Sequence, residues 1–178
     1  FFWIWYLYPL DDDPEGFEKD VLKELNLEPS THSTQVAEPE FMADFVHSII
    51  SAFGVLANLS DDLRHLQRSE IAEVGEKFEG KQVGSSTMPH KRNPHKSERI
   101  CSLARVLKSN VSIALDNMVL EDERDLTNSA DERVLFAENF IFLDFMIEQL
   151  TGNLKGLVFN EENIEKNLNL TKGACLAE

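Results

Sequence analysis

The stretch FMADFVHSIISAFGVLANLSDDLRHL, residues 41–66, places Phe41, Phe45, Ile49, Ala52, Leu56, Leu59, Leu63 and Leu66 at steps of three and four residues. An α-helix turns once in about 3.6 residues, so this spacing makes a single apolar stripe along a helix of about seven turns. Such a stripe is a seam for packing against other long helices. The same pattern recurs at Ile100, Leu103, Leu107, Val111, Ala114 and Met118, and again at Phe136, Phe140, Leu143, Ile147, Leu150 and Leu154, before Gly152 and Gly156 mark an end. A shorter repeat at Phe17, Val21, Leu22 and Leu25 is broken by Pro29, Ser30, Thr31 and Ser33. No segment alternates with a period of two, so the sequence predicts an all-α bundle of long antiparallel helices. Broad apolar stripes on a chain this short leave faces for neighbouring subunits to cover.

The ends differ from the middle. Both tryptophans and both tyrosines lie within Phe1–Tyr8, and the other 170 residues contain neither type. Residues 1–10 are too few to span a bilayer and lack the basic flank of a signal peptide. The expected organisation is an aromatic-rich segment over residues 1–14, a helical-bundle domain over 15–167 with a loop at 80–94, and the start of a truncated C-terminal region at 168–178. With 32 acidic against 17 basic residues and a net charge of −15, a nucleic-acid partner is disfavoured, because phosphate backbones are gripped by Lys and Arg. Cys101 and Cys175 have no metal-ligand spacing; Cys101 falls within an apolar stripe, which reads as a buried thiol in a reducing, cytoplasmic setting.

Between the first two long seams lies Gly84-Ser85-Ser86-Thr87-Met88-Pro89-His90-Lys91-Arg92-Asn93-Pro94. Gly84 opens backbone angles closed to other residues, Pro89 and Pro94 restrict the loop, and Pro94 suits the start of the next helix. Lys91, Arg92, Lys96 and Arg99 concentrate positive charge in an acidic chain, and the first amides of that helix also favour anions. A small anionic ligand is the expected guest, with Lys96 on a solvated face and Arg99 able to point back towards the loop. A second polar cluster runs Glu123-Arg124-Asp125-Leu126-Thr127-Asn128-Ser129-Ala130-Asp131-Glu132-Arg133. Asn128 or Ser129 can cap a helix there, with Glu132 near its first turn. Two arginines bracketing a hydroxyl suit a phosphate as well.

The loop wording G-S-S-x-M-P-x-K-x-N-P resembles the signature loop of the fumarase/aspartase superfamily. With His90 and Arg92 in place it is similar to the adenylosuccinate lyase family. The stretches Ser33-Thr34-Gln35-Val36, Leu63–Ile71 and Glu123–Arg133 carry the likeness further, so that it covers roughly Glu28 to Asn167; in Leu63–Ile71 the charges between Leu63 and Leu66 read as helix-surface pairs. The resemblance implies a homotetramer whose long central helices join in one bundle, with each active site built from several subunits. It also implies an anti β-elimination that releases fumarate from adenylosuccinate or the related succinyl-carboxamide ribotide in purine nucleotide synthesis. On that reading Ser85 is the base, Lys91 and Asn93 hold the substrate carboxylate, and Gln35, Arg99, Arg124, Ser129 and Arg133 bind substrate. Physical reasoning alone leaves Ser85 and Ser86 equivalent. An unactivated serine is a poor base, so a closed loop must stabilise its alkoxide through amides, Lys91 and exclusion of water.

Two features depart from the family pattern. In the family a histidine from an upstream T-S or T-H segment serves as the general acid. Nothing before Glu28 resembles that segment, and none of His32, His47, His65, His90 and His95 matches it. The 178 residues alone are therefore expected to be inactive. Glu121-Asp122 replaces an aromatic-His pair ahead of Glu123-Arg124-Asp125. Metal-ligand spacings, phosphate-binding glycine fingerprints and cofactor-lysine motifs are absent from the sequence, as expected of a lyase needing no cofactor. The alternatives are a 3-carboxymuconate cycloisomerase-like enzyme, with the same loop form but no need of a phosphate grip, and a non-catalytic helical oligomerisation module.

Overall fold

The computed structural model describes residues 13–30, 36–78 and 92–174. Helix α1 spans Pro14–Glu24, α2 Glu40–Leu66, α3 His95–Leu107, α4 Asn110–Asp116, α5 Ser129–Lys155 and α6 Glu161–Leu168. The fold is all-α, as the seams predict. It also holds a feature that the lack of period-two alternation did not anticipate: the two-residue strands β1 (Val74–Gly75) and β2 (Val158–Phe159) pair antiparallel, Val74 opposite Phe159 and Gly75 opposite Val158. Two residues are too few for alternation to register as a pattern.

The chain forms two compact units. The first comprises Phe1–Ser48 and Asn110–Phe136, the second Ile49–Ser109 and Ala137–Glu178. In the first, Asp13 caps α1, its carboxylate accepting the Gly16 N–H at 3.0 Å, with Pro14 at the first helical position, where its missing N–H costs nothing. Ala43, Val46, Ala114 and Leu135 are its buried apolar residues. Phe45 meets Phe136 with ring centroids 6.3 Å apart.

The second unit buries Ile49, Ile50, Phe53, Leu63, Val74, Ile100, Cys101, Leu107, Met146 and Leu150. Cys101 is a buried thiol, as read from sequence, and its S–H donates to the Ala57 carbonyl at 3.6 Å. Helix α6 is stitched to the turn ahead of β1: Asn163 donates to the Ala72 carbonyl at 3.1 Å, and Asn167 donates to the Ile71 carbonyl and the Glu73 carboxylate, each at 3.0 Å. The Asn160 N–H closes the strand pair on the Glu73 carbonyl at 2.8 Å. Ala72 takes a left-handed φ of 49° to make this turn, a conformation that costs an L-residue about 1–2 kcal/mol.

The seams need correcting in three places. On α2 the buried stripe runs through Ala43, Val46, Ile50, Phe53 and Ser60, joined by Ile49 and Leu63, while Phe41, Phe45 and Leu59 of the expected stripe are exposed. Helix α2 is apolar around more than one face, and three-and-four spacing does not say which face turns inward. By length and composition it would also suffice to cross a membrane, a test that the core helix of a soluble protein passes too. The second seam is interrupted at Lys108–Ser109, where α3 gives way to α4. On α5 the buried positions are Leu135, Asn139, Met146, Leu150 and Asn153, while Phe140, Ile147 and Leu154 of the expected stripe are exposed; Gly152 lies inside this helix, and only Gly156 follows its end.

Candidate functional site

Ser85, Lys91 and Gln35 of the expected site lie outside the described residues. The remaining expected residues fall in both units.

In the first unit, Arg124, Ser129 and Arg133 line one cleft of about 490 Å³, together with Asp125, Asn128 and Glu132. Its apolar side comes from Val36, Pro39, Met42, Leu120 and Phe136. Two local devices shape the polar side. Asp125 folds the turn before α5: its carboxylate accepts the N–H groups of Glu121 at 2.9 Å and Thr127 at 2.7 Å, and the Thr127 hydroxyl as well. The Glu121 N–H bond and then the Thr127 bonds hold the Asp125 carboxyl below its ordinary value of 3.8. Asn128 precedes α5 and donates through Nδ2 to the Glu132 carboxylate at 3.0 Å. Asn128 is the last residue before α5, and Arg124 and Arg133, both exposed, frame the cleft with Ser129. Asp131 accepts from Asn117 at 3.2 Å and so ties the first turn of α5 to the end of α4.

In the second unit, Asn93 lines a cleft of about 480 Å³ with Arg64, His65, Gln67, Arg68, Arg92 and Glu98. The three arginines share this cleft with the carboxylates of Glu70 and Glu98, and Arg64 is paired with Asp61, so Arg68 and Arg92 are the cations it offers a ligand. The expected surface pairing of the Leu63–Leu66 charges is present, since both Arg64 and His65 meet Asp61 one turn away, yet the same arginine lines the cleft. Arg92 stacks over Phe78, its guanidinium carbon 5.5 Å from the ring centroid. Arg99 is exposed on α3, five positions beyond Pro94.

Pro94 does sit at the start of α3, but the free amides expected there are taken. Pro94 offers no side-chain cap. The carboxylate of Glu76 accepts instead from the Lys96 N–H at 3.2 Å, the Ser97 N–H at 2.9 Å and the Ser97 hydroxyl at 2.7 Å. The anion at this helix terminus is therefore the protein's own. Sequence reasoning missed Glu76 because the helix start it caps lies about 20 residues on and no local motif marks it; Gln67 falls within the Leu63–Ile71 stretch, but its bond to the Arg92 carbonyl spans 25 residues and left no sequence signal. Among the described residues, no group of three or more His, Cys, Asp or Glu side chains is placed to hold a metal ion.

Residues 8–107 match the model of a family described as lyase. The chain belongs to this lyase family. Among curated members of known name it is 48 % identical over 161 residues to the adenylosuccinate lyase of Pyrococcus abyssi, covering 90 % of this chain and 36 % of that protein. It is 46 % identical over 167 residues to the adenylosuccinate lyase of Methanothermobacter thermautotrophicus, covering 92 % and 37 %. For that of Aquifex aeolicus the identity is 42 % over 160 residues, covering 90 % and 37 %. The chain thus spans just over a third of the length of these lyases. Among solved structures, the 3-carboxy-cis,cis-muconate lactonizing enzyme of Pseudomonas putida superimposes with a TM-score of 0.73 at 24 % identity, over 94 % of this chain and 37 % of that one. That likeness shows a shared all-α fold.

Proposed function

We propose that this chain carries the nucleotide grip and the signature loop of an adenylosuccinate lyase-type enzyme. The reaction is an anti β-elimination that breaks a C–N bond and releases fumarate from adenylosuccinate or the related succinyl-carboxamide ribotide. The observation that carries the reading is the sharing of one cleft by Arg124, Ser129 and Arg133. Two guanidinium forks, a hydroxyl and the first turn of α5 make a phosphate site, and the apolar side of the cleft suits a purine. The identities of 42–48 % to named adenylosuccinate lyases support the same substrate class.

In this reading Ser85 removes the carbon-bound proton beside a carboxylate. Lys91 and Asn93 meet the negative charge that builds on that carboxylate, while Gln35 and Arg99 complete the substrate contacts. Arg68 and Arg92, on the same cleft as Asn93, support the binding of such an anion. Catalysis needs no cofactor, the enzyme works in the cytoplasm, and four copies assemble through the long helices so that each site draws on several subunits. Large apolar side chains exposed on α2 and α5, Val55 at 69 % and Ile141 at 65 % among them, support assembly with further copies.

The test is Arg133→Ala in the protein expressed from its complete reading frame. AMP binding should weaken by about 1.5–3 kcal/mol, the cost of a lost charge-assisted hydrogen bond. Binding of the unphosphorylated succinyl nucleoside should change far less. Equal losses for the two ligands, or no AMP binding by the unsubstituted protein, would reject the phosphate grip.

A further inference from the structure

Glu76 is the most heavily engaged carboxylate among the described side chains of the second unit. Its side chain is 5 % exposed, and besides the Lys96 and Ser97 groups it accepts Asn153 Nδ2 at 3.0 Å. Asn153, 1 % exposed and on α5, also donates to the Ser97 hydroxyl at 3.1 Å. His95 Nδ1 stands 3.8 Å from the second carboxylate oxygen. The backbone of Glu76 is held too: its N–H donates to Gln67 Oε1 at 2.8 Å, and Gln67 Nε2 donates to the Arg92 carbonyl at 3.1 Å. Residues 92–97, with Asn93 among them, are thus gripped at one end through Gln67 and at the other by the Glu76 carboxylate.

We propose that Glu76 is a positioning residue for Asn93: by capping α3 in place of Pro94 and anchoring to Asn153, it fixes residues 92–97 and so the register in which Asn93 is presented to the substrate. This rests on the proposed lyase reading. The chemistry explains why an acid is needed here. A proline at the cap position removes the usual side-chain acceptor, and an ionised carboxylate satisfies two helix-terminal amides and a hydroxyl at once. Such charge-assisted bonds are worth more than neutral ones, and a buried carboxylate is tolerable only when its oxygens are engaged in this way. Glu76 need not touch substrate. A shift of about 1 Å in a positioning group can cost on the order of 10²-fold in rate.

The experiment compares Glu76→Ala and Glu76→Gln with the unsubstituted protein from its complete reading frame. Three readouts are used: thermal unfolding, kcat and KM for adenylosuccinate, and hydrogen exchange of the amides at residues 92–97. In folded Glu76→Ala the Lys96 and Ser97 amides should exchange faster by roughly tenfold to a hundredfold. kcat should fall by up to about 10²-fold, more than KM rises. Glu76→Gln keeps an acceptor for Ser97 and should recover part of both. A merely structural Glu76 would lower the melting temperature and leave the kcat of the folded enzyme unchanged. Folded Glu76→Ala with kcat within about twofold of the parent, or with unaltered exchange at 95–97, overturns the proposal. If Glu76→Ala does not fold, the same criteria apply to Glu76→Gln. If the unsubstituted protein releases no fumarate, the lyase reading fails by itself, and the exchange data alone decide whether Glu76 holds residues 92–97.

Discussion

A serine hydroxyl removes a carbon-bound proton only where its alkoxide is stabilised more in the transition state than before it. In the proposed mechanism that demand falls on Ser85. Ser85→Ala should therefore lower kcat by roughly 10²–10⁴-fold, the usual worth of a positioned base, while substrate binding stays largely intact. Single-turnover kinetics and calorimetry on the protein from its complete reading frame separate the two effects. Retained turnover in Ser85→Ala together with loss in Ser86→Ala moves the base one residue on. At Asp125 the measurable quantity is protonation. The Glu121 N–H and the Thr127 groups depress its folded-state pKa below 3.8. Its contribution to stability is then fully present above the ordinary aspartate value and is lost as pH falls from there through the depressed folded value. A carboxyl-resolved NMR titration should place the Asp125 midpoint below 3.8, and Asp125→Asn should remove that part of the acid-side stability loss. A midpoint at or above the ordinary value contradicts the turn described before α5.

At the scale of elements, the helices separate residues that fill a core from residues that resemble core only in pattern. Phe53 on α2 is 1 % exposed and Phe41 on the same helix is 60 % exposed. Phe53→Ala should cost about 3–5 kcal/mol in denaturant unfolding, and Phe41→Ala no more than about 0.5 kcal/mol in the unassembled chain. Comparable losses at both positions would mean that the buried face of α2 is misassigned. The existence and length of α2 and α5 were legible because a 3.6-residue period sustained over many turns has few competing explanations. Which face turns inward was not, since each helix is apolar on several sides and the choice is made by neighbours distant in sequence. The candidate site divides along the same line. Asn93, Arg124, Ser129 and Arg133 stand out as polar residues in short, dense motifs. Glu76 carries no local pattern, and although Gln67 lies in the Leu63–Ile71 stretch, only the folded chain brings the two to Ser97 and Arg92.

For the whole molecule, the exposed apolar faces of α2 and α5 are proposed to be covered by other copies of the chain. Val55→Glu combined with Ile141→Glu should shift the protein from its complete reading frame from tetramer towards smaller species in light scattering while its helical signal persists, because a charge placed in an apolar interface must be desolvated without a partner. An unchanged tetramer would place the assembly surface elsewhere. The chemistry proposed for this lyase-family chain is that a phosphate grip at the start of α5 serves fumarate release from a purine nucleotide. The most direct measurement is the coupled release of AMP and fumarate from adenylosuccinate by the protein expressed from its complete reading frame. Equal amounts of the two products are expected, in a reaction abolished or nearly so by Ser85→Ala. A folded, assembled protein that leaves adenylosuccinate intact, or that cyclises 3-carboxymuconate instead, would contradict it.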